Sequence, residues 1–366
     1  MARRGENIYK RKDGRWEGRY KSGFYSNGKT KYASVYGKSY TEVKTLLAGK
    51  KDELIKAITP CCLTVNELFD LWLNDRCACS KESTVANYRM KIEKHILPLL
   101  GGVRYKDLTT IILNGFVSQK MSEGLSAKYV YDIAVLLKSI CKYADRHYNC
   151  GNKAEYMDMP KKEKLPEKAL LSHTEREKLI RFLMTNCSLK YVGILLSAST
   201  GMRIGEVCGL KWSDIDLEKR IITVKRTVQR ISDKSGGTAT RIVVTSPKSK
   251  SSVREIPIPD AIFAILLKLA GKSDAYILSD STEPLEPRAL QYRFKALLKS
   301  LNTTCVTFHS LRHSFATTCI EIGVDIKTLS ELLGHSSVEI TLNRYVHSSL
   351  KRKAECMRMF SASFAA

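Results

Sequence analysis

Alternating apolar and charged residues near the N-terminus predict a small β-sheet followed by a helix. Over residues 15–21 the side chains fall on two faces of a strand. One face carries Trp16, Gly18 and Tyr20, and the other carries Arg15, Glu17, Arg19 and Lys21. Asp13-Gly14 and Asn27-Gly28 are hairpin-turn signals, and a further strand follows at 31–36. Because residues 41–56 have helical spacing, we predict a three-stranded sheet backed by one helix over residues 1–58.

Helical periodicity continues through residues 63–155. Apolar residues recur at helical spacing in segments 64–73, 83–96, 114–122 and 127–148. Ser83 has the residue type of an N-cap, and Pro98 predicts the end of the second helix. Glycines at 101, 102 and 124 separate the segments. The pattern predicts a bundle of about four helices.

A linker and a third domain are predicted after the bundle. Residues 156–168 combine two prolines with a run of charges, which disfavours regular structure. Ser172-His-Thr-Glu175 is a capping box that starts a new helix. A helix at 191–200 ends at Gly201, and further helices are predicted at 308–323 and 338–346. Strands are predicted at 220–228, 240–245 and 254–258, with residues 246–252 as a hairpin tip. The predicted class is multidomain α+β, with the domain at 169–366 mainly helical and holding a small antiparallel sheet.

Length and composition limit the number of domains, the location of the protein and the kinds of site that it can hold. The 366 residues suit two or three domains, and no apolar stretch is long enough to span a membrane. No secretion signal is visible at the N-terminus, so we expect a cytoplasmic protein. The 11 cysteines are scattered without the paired spacing of zinc ligands. We therefore expect reduced thiols, no metal site and no cofactor.

The charge points to nucleic acid. Lys and Arg number 61 against 37 Asp and Glu, which gives +24. Each cation placed on a phosphate releases counterions, so double-stranded DNA is the favoured partner. The surplus is densest in residues 1–58, with 15 basic against 6 acidic residues. A small sheet can enter a major groove, and we propose Arg15, Arg19 and Lys21 as DNA contacts. A merely solvated basic face is the alternative.

Five short motifs follow in the last domain. In order they are Thr200-Gly-Met-Arg203-Ile-Gly-Glu206, Pro247-Lys-Ser-Lys-Ser-Ser-Val-Arg-Glu-Ile-Pro257, His309-Ser-Leu-Arg312-His, Leu333-Gly-His335-Ser and Asn343-Arg-Tyr345-Val-His. His309 and Arg312, at i and i+3 on a helix, project from the same side. Taken singly, each motif also fits an ordinary solvated arginine, a solvated turn or a core tyrosine.

Taken together, the five motifs resemble the tyrosine recombinases of the phage integrase family. The resemblance implies that Tyr345 attacks the scissile phosphate and leaves a 3′-phosphotyrosyl link. Arg203 and Arg312 would clamp the non-bridging oxygens, and Lys248 would protonate the leaving 5′-oxygen, with Lys250 as the alternative. His309 would assist proton transfer at the tyrosine, and His335 would donate a hydrogen bond to the phosphate. Glu206 would orient Arg203.

The residue types suit that chemistry. A phosphorane-like transition state gains charge on its equatorial oxygens, which bidentate guanidinium groups match. A phenol of pKa about 10 needs an electropositive site to react at neutral pH. The covalent link conserves the phosphodiester energy, so neither ATP nor a metal is expected.

The whole chain resembles integrases of the lambda or conjugative-transposon type. The resemblance implies an arm-binding domain at 1–58, a core-binding SAM-like domain at 63–155 and a catalytic domain at 169–366. It also implies a homotetramer that recombines core and arm sites through a Holliday junction during integration and excision. The apolar residues after position 351 would pack on a neighbouring protomer, and a directionality factor is a further possible partner. No membrane contact is expected.

Three alternatives stay open at this stage. A Xer-like resolvase resembles only the last two domains, whereas this chain adds a basic N-terminal one. A type IB topoisomerase-like enzyme nicks and rejoins one duplex and needs neither an arm domain nor an apolar tail. A non-catalytic DNA-binding regulator would be expected to have lost the set of catalytic residues, and the set is intact.

Overall fold

A computed structural model describes most of the chain. The described residues are 7–24, 30–57, 62–161, 169–186, 188–232, 240–247, 250–345 and positions 354, 357, 358, 360, 361 and 364. They form two compact units, Met1–Lys164 and Leu165–Ala366. Asn27-Gly28, Lys248, Met359 and residues 162–168 of the predicted linker lie outside the described residues. No helix in the described ranges combines the length and apolarity that crossing a bilayer requires.

The N-terminal sheet is confirmed. Its elements are β1 (Ile8–Lys10), β2 (Trp16–Phe24), β3 (Thr30–Gly37) and α1 (Tyr40–Ala57). The strands are antiparallel in the order β1-β2-β3. The apolar face of β2 packs on α1, where a Cβ on Gly18 would stand 1.9 Å from Leu47. The charged face of β2 therefore points away from the helix, as the alternation predicts.

The helical bundle is also confirmed. Its helices are α2 (Val65–Cys79), α3 (Glu82–Lys91), α4 (Leu97–Leu100), α5 (Thr110–Ser122) and α6 (Ala127–Tyr148). Thr64 caps α2 in a reciprocal capping box with Glu67. Trp72, Ile92 and Leu137 lie in one continuous apolar core formed by these helices.

Two predictions about the second helix of the bundle are wrong. Lys81, not Ser83, stands at the N-cap of α3, and its side chain makes no capping bond. Pro98 does not end the helix, because a π-helical segment, Ile92–Ile96, joins α3 to α4. Pro98 then falls in the first turn of α4, where the missing amide hydrogen costs little.

The second unit is mainly helical with two small sheets. Its helices are α7 (His173–Thr185), α8 (Val192–Thr200), α9 (Ile204–Cys208), α10 (Asp260–Leu269), α11 (Pro287–Ser300), α12 (His309–Glu321), α13 (Ile326–Leu333) and α14 (Val338–Tyr345). Its strands are β4 (Ile215–Asp216), β5 (Ile221–Val224), β6 (Thr227–Ser232), β7 (Thr240–Thr245) and β8 (Arg254–Pro257). The sheets are β4-β5-β8 and β6-β7.

The strand predictions for this unit need correction. The predicted strand at 220–228 is two strands that belong to different sheets, since β5 pairs with β8 and β6 pairs with β7. Between them, the side chain of Arg226 donates to the buried Asp214 and to the carbonyl of Gly209. Residues 246–252 are not a hairpin tip. β7 pairs with β6 over six residues, and β8 pairs with β5, so this segment connects two different sheets.

The end of α8 is packed tightly against two later helices. Gly201 has φ +67°, and a Cβ there would lie 2.6 Å from Phe315 and 2.8 Å from Leu333. Only glycine fits both the left-handed backbone and the space. The turn that precedes Arg203 is therefore held against α12 and α13.

Candidate active site

Arg203 is fixed by its own helix. It stands at the N-cap of α9, and its backbone amide donates to Glu206 Oε2 at 2.9 Å. Its Nη1 donates to Glu206 Oε1 at 2.7 Å, and its Nη2 donates to the carbonyl of Gly334 at 3.3 Å. Glu206 is 3% exposed. Both carboxylate oxygens of Glu206 thus accept hydrogen bonds from Arg203, and its orienting role stays a prediction.

Arg312 is the second guanidinium of the site and is almost fully buried. Its Nη1 donates to the carbonyl of Gly201 at 2.9 Å, and its Nη2 donates to that of Leu333 at 2.7 Å. Burial lowers the pKa of Arg312 to about 9, and the positive charge of Arg203 acts in the same direction. Keeping Arg312 positively charged in the folded protein therefore costs free energy, and a bound anion would offset part of that cost.

Four of the six predicted catalytic residues line one cavity of about 370 Å³. They are Arg203, His309, Arg312 and His335. Pro247 also lines this cavity, and Lys248 follows it directly but lies outside the described residues. Three arginines (Arg203, Arg254 and Arg312) act on the carboxylate of Glu206, the one acidic side chain among the described residues that line this cavity, so the site suits an anion.

Tyr345 does not line this cavity itself, but its ring contacts the ring of His335, which does. Its ring stacks on that of His335, with centroids 6.4 Å apart and planes 5° apart. The ring of His313 lies 5.3 Å from Tyr345 and 4.8 Å from His309, edge-on to the latter. Tyr345 is half-buried and packs against the apolar cluster of α12 and α13. The predicted nucleophile and the phosphate-binding side chains thus belong to one connected group.

Thr341 contacts His335, and sequence reasoning did not single it out. Its Oγ1 lies 2.8 Å from His335 Nδ1, and the threonine is buried in α14. Because Thr341 and Tyr345 are at i and i+4, they share one face of that helix. This spacing is visible in the sequence, but nothing in the sequence indicates that His335 packs there.

We expect Thr341→Val to slow DNA cleavage about tenfold while Thr341→Ser keeps nearly full rate. When the ring is neutral, His335 can donate from Nε2 only if Nδ1 accepts, and a proton donated by the threonine hydroxyl would fix this tautomer. Rates of covalent DNA attachment by the two variants would check this. Equal rates for the valine and serine variants would show that the hydroxyl does not orient His335.

Two of the three predicted DNA contacts, Arg15 and Arg19, lie beside tyrosines of β3. Arg15 is exposed and donates to Asp13 at 2.8 Å, and the Arg19 guanidinium lies 4.6 Å from the ring of Tyr32. The side chain of Lys21 lies outside the described residues. Glu17 is buried in the same face as Arg19, where it accepts from Arg11 Nη1 at 2.8 Å. On this face, arginine side chains therefore stack on tyrosine rings, and Arg11 neutralises the charge of Glu17.

Comparisons with known proteins give similarities over most of the chain. Residues 169–352, just over half of the chain, match the model of the phage integrase family, and residues 64–121 match the N-terminal SAM-like domain of phage integrases. A tyrosine recombinase XerC-like protein of Caldanaerobacter subterraneus subsp. tengcongensis is 28% identical, over 92% of this chain and 93% of its own. The integrase of Staphylococcus phage L54a is 24% identical, over 86% and 96%.

Two solved structures show the same fold. The Tn1549 transposon integrase in complex with a circular intermediate DNA gives a TM-score of 0.67 at 23% identity, covering 81% of this chain and 99% of that one. A lambda integrase tetramer bound to a Holliday junction gives 0.56 at 20% identity, covering 94% and 98%. The multidomain α+β class predicted from sequence is confirmed.

Proposed function

This chain belongs to the phage integrase family, and from that premise we propose that it is a site-specific DNA recombinase of a mobile element. In this proposal it cuts and rejoins DNA through a 3′-phosphotyrosine at Tyr345 and exchanges strands through a Holliday junction. The observation that carries the proposal is the single cavity lined by Arg203, His309, Arg312 and His335, with Tyr345 stacked on the last of them.

In the proposed cleavage step, the phenol oxygen of Tyr345 forms a bond to phosphorus and the bond from phosphorus to the 5′-oxygen breaks. The tyrosine proton leaves by way of His309, and Lys248 gives a proton to the departing 5′-oxygen. Arg203 and Arg312 hold the equatorial oxygens as they gain charge. Rejoining runs the same steps backwards with the 5′-hydroxyl of the partner strand, so no external energy source is consumed.

The proposal also assigns the first unit to DNA binding. The exposed arginines and tyrosines of the N-terminal sheet support contact with arm-type sites in a major groove, and the helical bundle would hold the core site. Arg15, Arg19 and Lys21 remain the proposed arm contacts. The XerC-like relative aligns over 92% of this chain, so the N-terminal sheet does not by itself separate an integrase from a Xer-like resolvase.

Assembly as a tetramer is part of the proposal. Met357, Phe360 and Phe364 are exposed apolar side chains near the C-terminus, which supports packing of this segment on a neighbouring protomer. A reversible active site favours neither integration nor excision by itself. The proposal therefore includes a separate directionality factor, and it places the reaction on bacterial chromosomal DNA in the cytoplasm.

We expect the protein to form a covalent complex with a nicked duplex that carries its own attachment site. The nick lets the short 5′-hydroxyl fragment leave after cleavage, so the phosphotyrosyl link accumulates as a protease-sensitive band on a denaturing gel. EDTA should leave the yield unchanged, since arginines neutralise the phosphate charge. Failure to form the band, or relaxation of a single plasmid without recombinants, would contradict the recombinase proposal.

A further inference from the structure

A buried arginine, Arg254, donates hydrogen bonds to three segments that carry the proposed catalytic residues. Arg254 is the first residue of β8 and is 8% exposed. Its Nη2 donates to Glu206 Oε2 at 2.9 Å, its Nε donates to the carbonyl of Leu332 at 2.6 Å, and its Nη1 donates to that of Ser252 at 3.1 Å. Each of its three nitrogens is therefore used by a different part of the chain.

Each of these acceptors lines the cavity, contacts a residue that lines it, or is close to such a residue in sequence. Glu206 uses its other oxygen to hold Arg203. Leu332 is followed by Leu333, whose carbonyl holds Arg312, and then by Gly334 and His335. Ser252 itself lines the cavity and ends the segment that carries Lys248.

The backbone after α13 lies directly over the Arg254 side chain. Gly334 has φ +64°, and a Cβ there would lie 2.9 Å from Arg254 Nη1 and 3.0 Å from Arg254 Cδ. The carbonyl of the same glycine accepts from Arg203. The position of Arg254 therefore sets how closely the His335 segment approaches Arg203.

We propose that Arg254 is a positioning residue. It holds Arg203 and His335 in the positions from which they bind the scissile phosphate, and it does not touch the phosphate itself. The inference rests on the proposed function, in which those two residues bind the phosphate. A displacement of about 1 Å in such groups can cost about 10²-fold in rate. Arg254 belongs to the second motif of the sequence, but its neighbours in space could not be read from that motif.

The charge of Arg254 has a separate role at Glu206. Burial alone would raise the pKa of Glu206, and Arg254 followed by Arg203 reverses this and lowers it below the ordinary value. The charged groups that face Glu206 are Arg203 on its own helix, Arg254 on β8 and Arg312 on α12, and the histidines 309 and 335 line the same cavity. Without Arg254, the burial effect is less opposed, and the carboxyl would be protonated at a higher pH.

The test compares Arg254→Met and Arg254→Lys in the full-length protein. We expect the methionine variant to form the covalent complex about 10²-fold more slowly at saturating DNA, with its DNA affinity nearly unchanged. As the pH is lowered, its rate relative to wild type should fall further, because a protonated Glu206 no longer pairs with Arg203. Adding Glu206→Gln to Arg254→Met should remove this extra pH dependence.

The lysine variant separates charge from geometry. It keeps a cation beside Glu206 but cannot reach all three acceptors, so we expect a slower rate without the additional loss at low pH. A methionine variant with wild-type rates, or with a rate loss that is the same at every pH, would overturn the proposal. If the methionine variant does not fold, as judged by circular dichroism, a lysine variant with the wild-type rate would overturn it equally. Slow attachment that still depends on Tyr345 leaves the proposed function standing. Attachment that does not depend on Tyr345 would overturn the proposed cleavage through Tyr345, whatever the role of Arg254.

Discussion

The Tyr345→Phe variant is expected to form no covalent complex with nicked attachment-site DNA while binding that DNA as tightly as wild type. The substitution removes only the oxygen that would attack phosphorus. Loss of the nucleophile in covalent catalysis lowers turnover by a factor on the order of 10⁶. The measurement is the yield of the protease-sensitive band, with binding followed separately by gel shift.

The phenylalanine variant should keep its fold. The ring that stacks on His335 and packs against α12 and α13 remains in place, so the melting temperature should move by only a few degrees. Tyr292→Phe is a matched control, because Tyr292 is an exposed tyrosine on α11 and should react as wild type. A covalent band that persists in Tyr345→Phe but disappears in another tyrosine variant would assign the nucleophile elsewhere.

Elements with a complete set of local signals were predictable from sequence. The helix at 127–148 has its predicted bounds, because Ser126 caps one end and Asn149 adopts a left-handed conformation at the other. The capping box at Ser172 and the glycine stop at Gly201 act through neighbours in sequence, so they could be recognised without tertiary information. The N-terminal sheet followed from its alternation of apolar and charged residues.

Elements decided by distant contacts were not predictable. Pro98 would end a regular α-helix, but the preceding π-helical turn changes the register of the backbone bonds. The predicted strand at 220–228 breaks where Arg226 reaches Asp214, an acceptor that the sequence pattern does not identify. β8 likewise pairs with β5, from which β6 and β7 separate it in sequence, rather than with the neighbouring β7.

The same distinction between local signals and distant contacts applies to the candidate site. Residue types and their order were enough to propose Arg203, His309, Arg312 and His335, which line one cavity. The contacts that hold them were not predictable, since Arg312 binds two backbone carbonyls and every residue carries a carbonyl. Arg254 and Thr341 act on other side chains of the site, so only the folded chain identifies them. The roles of Lys248 and Lys21 stay predictions.

The Arg312→Gln variant is expected to lose DNA cleavage by about 10²–10³-fold with a comparatively small loss of stability in the free protein. The glutamine cannot present two charged donors to the equatorial oxygens, so transition-state stabilisation falls. Because the folded protein lowers the pKa of Arg312, the cation is less favourable in the native state than in the unfolded chain at neutral pH. Removing the charge therefore removes a cost of folding together with the two hydrogen bonds to Gly201 and Leu333.

Urea unfolding of wild type and Arg312→Gln, each with and without DNA, separates these effects. In the absence of DNA the two midpoints should lie close together. Bound DNA should raise the wild-type midpoint more, because the scissile phosphate compensates a cation that only wild type carries at this position. A variant that unfolds far more easily than wild type without DNA would mean that Arg312 chiefly supports the fold. If the variant cleaves at the wild-type rate, Arg312 does not clamp the phosphate. Arg203 is then the one arginine among the described residues that is left in this role.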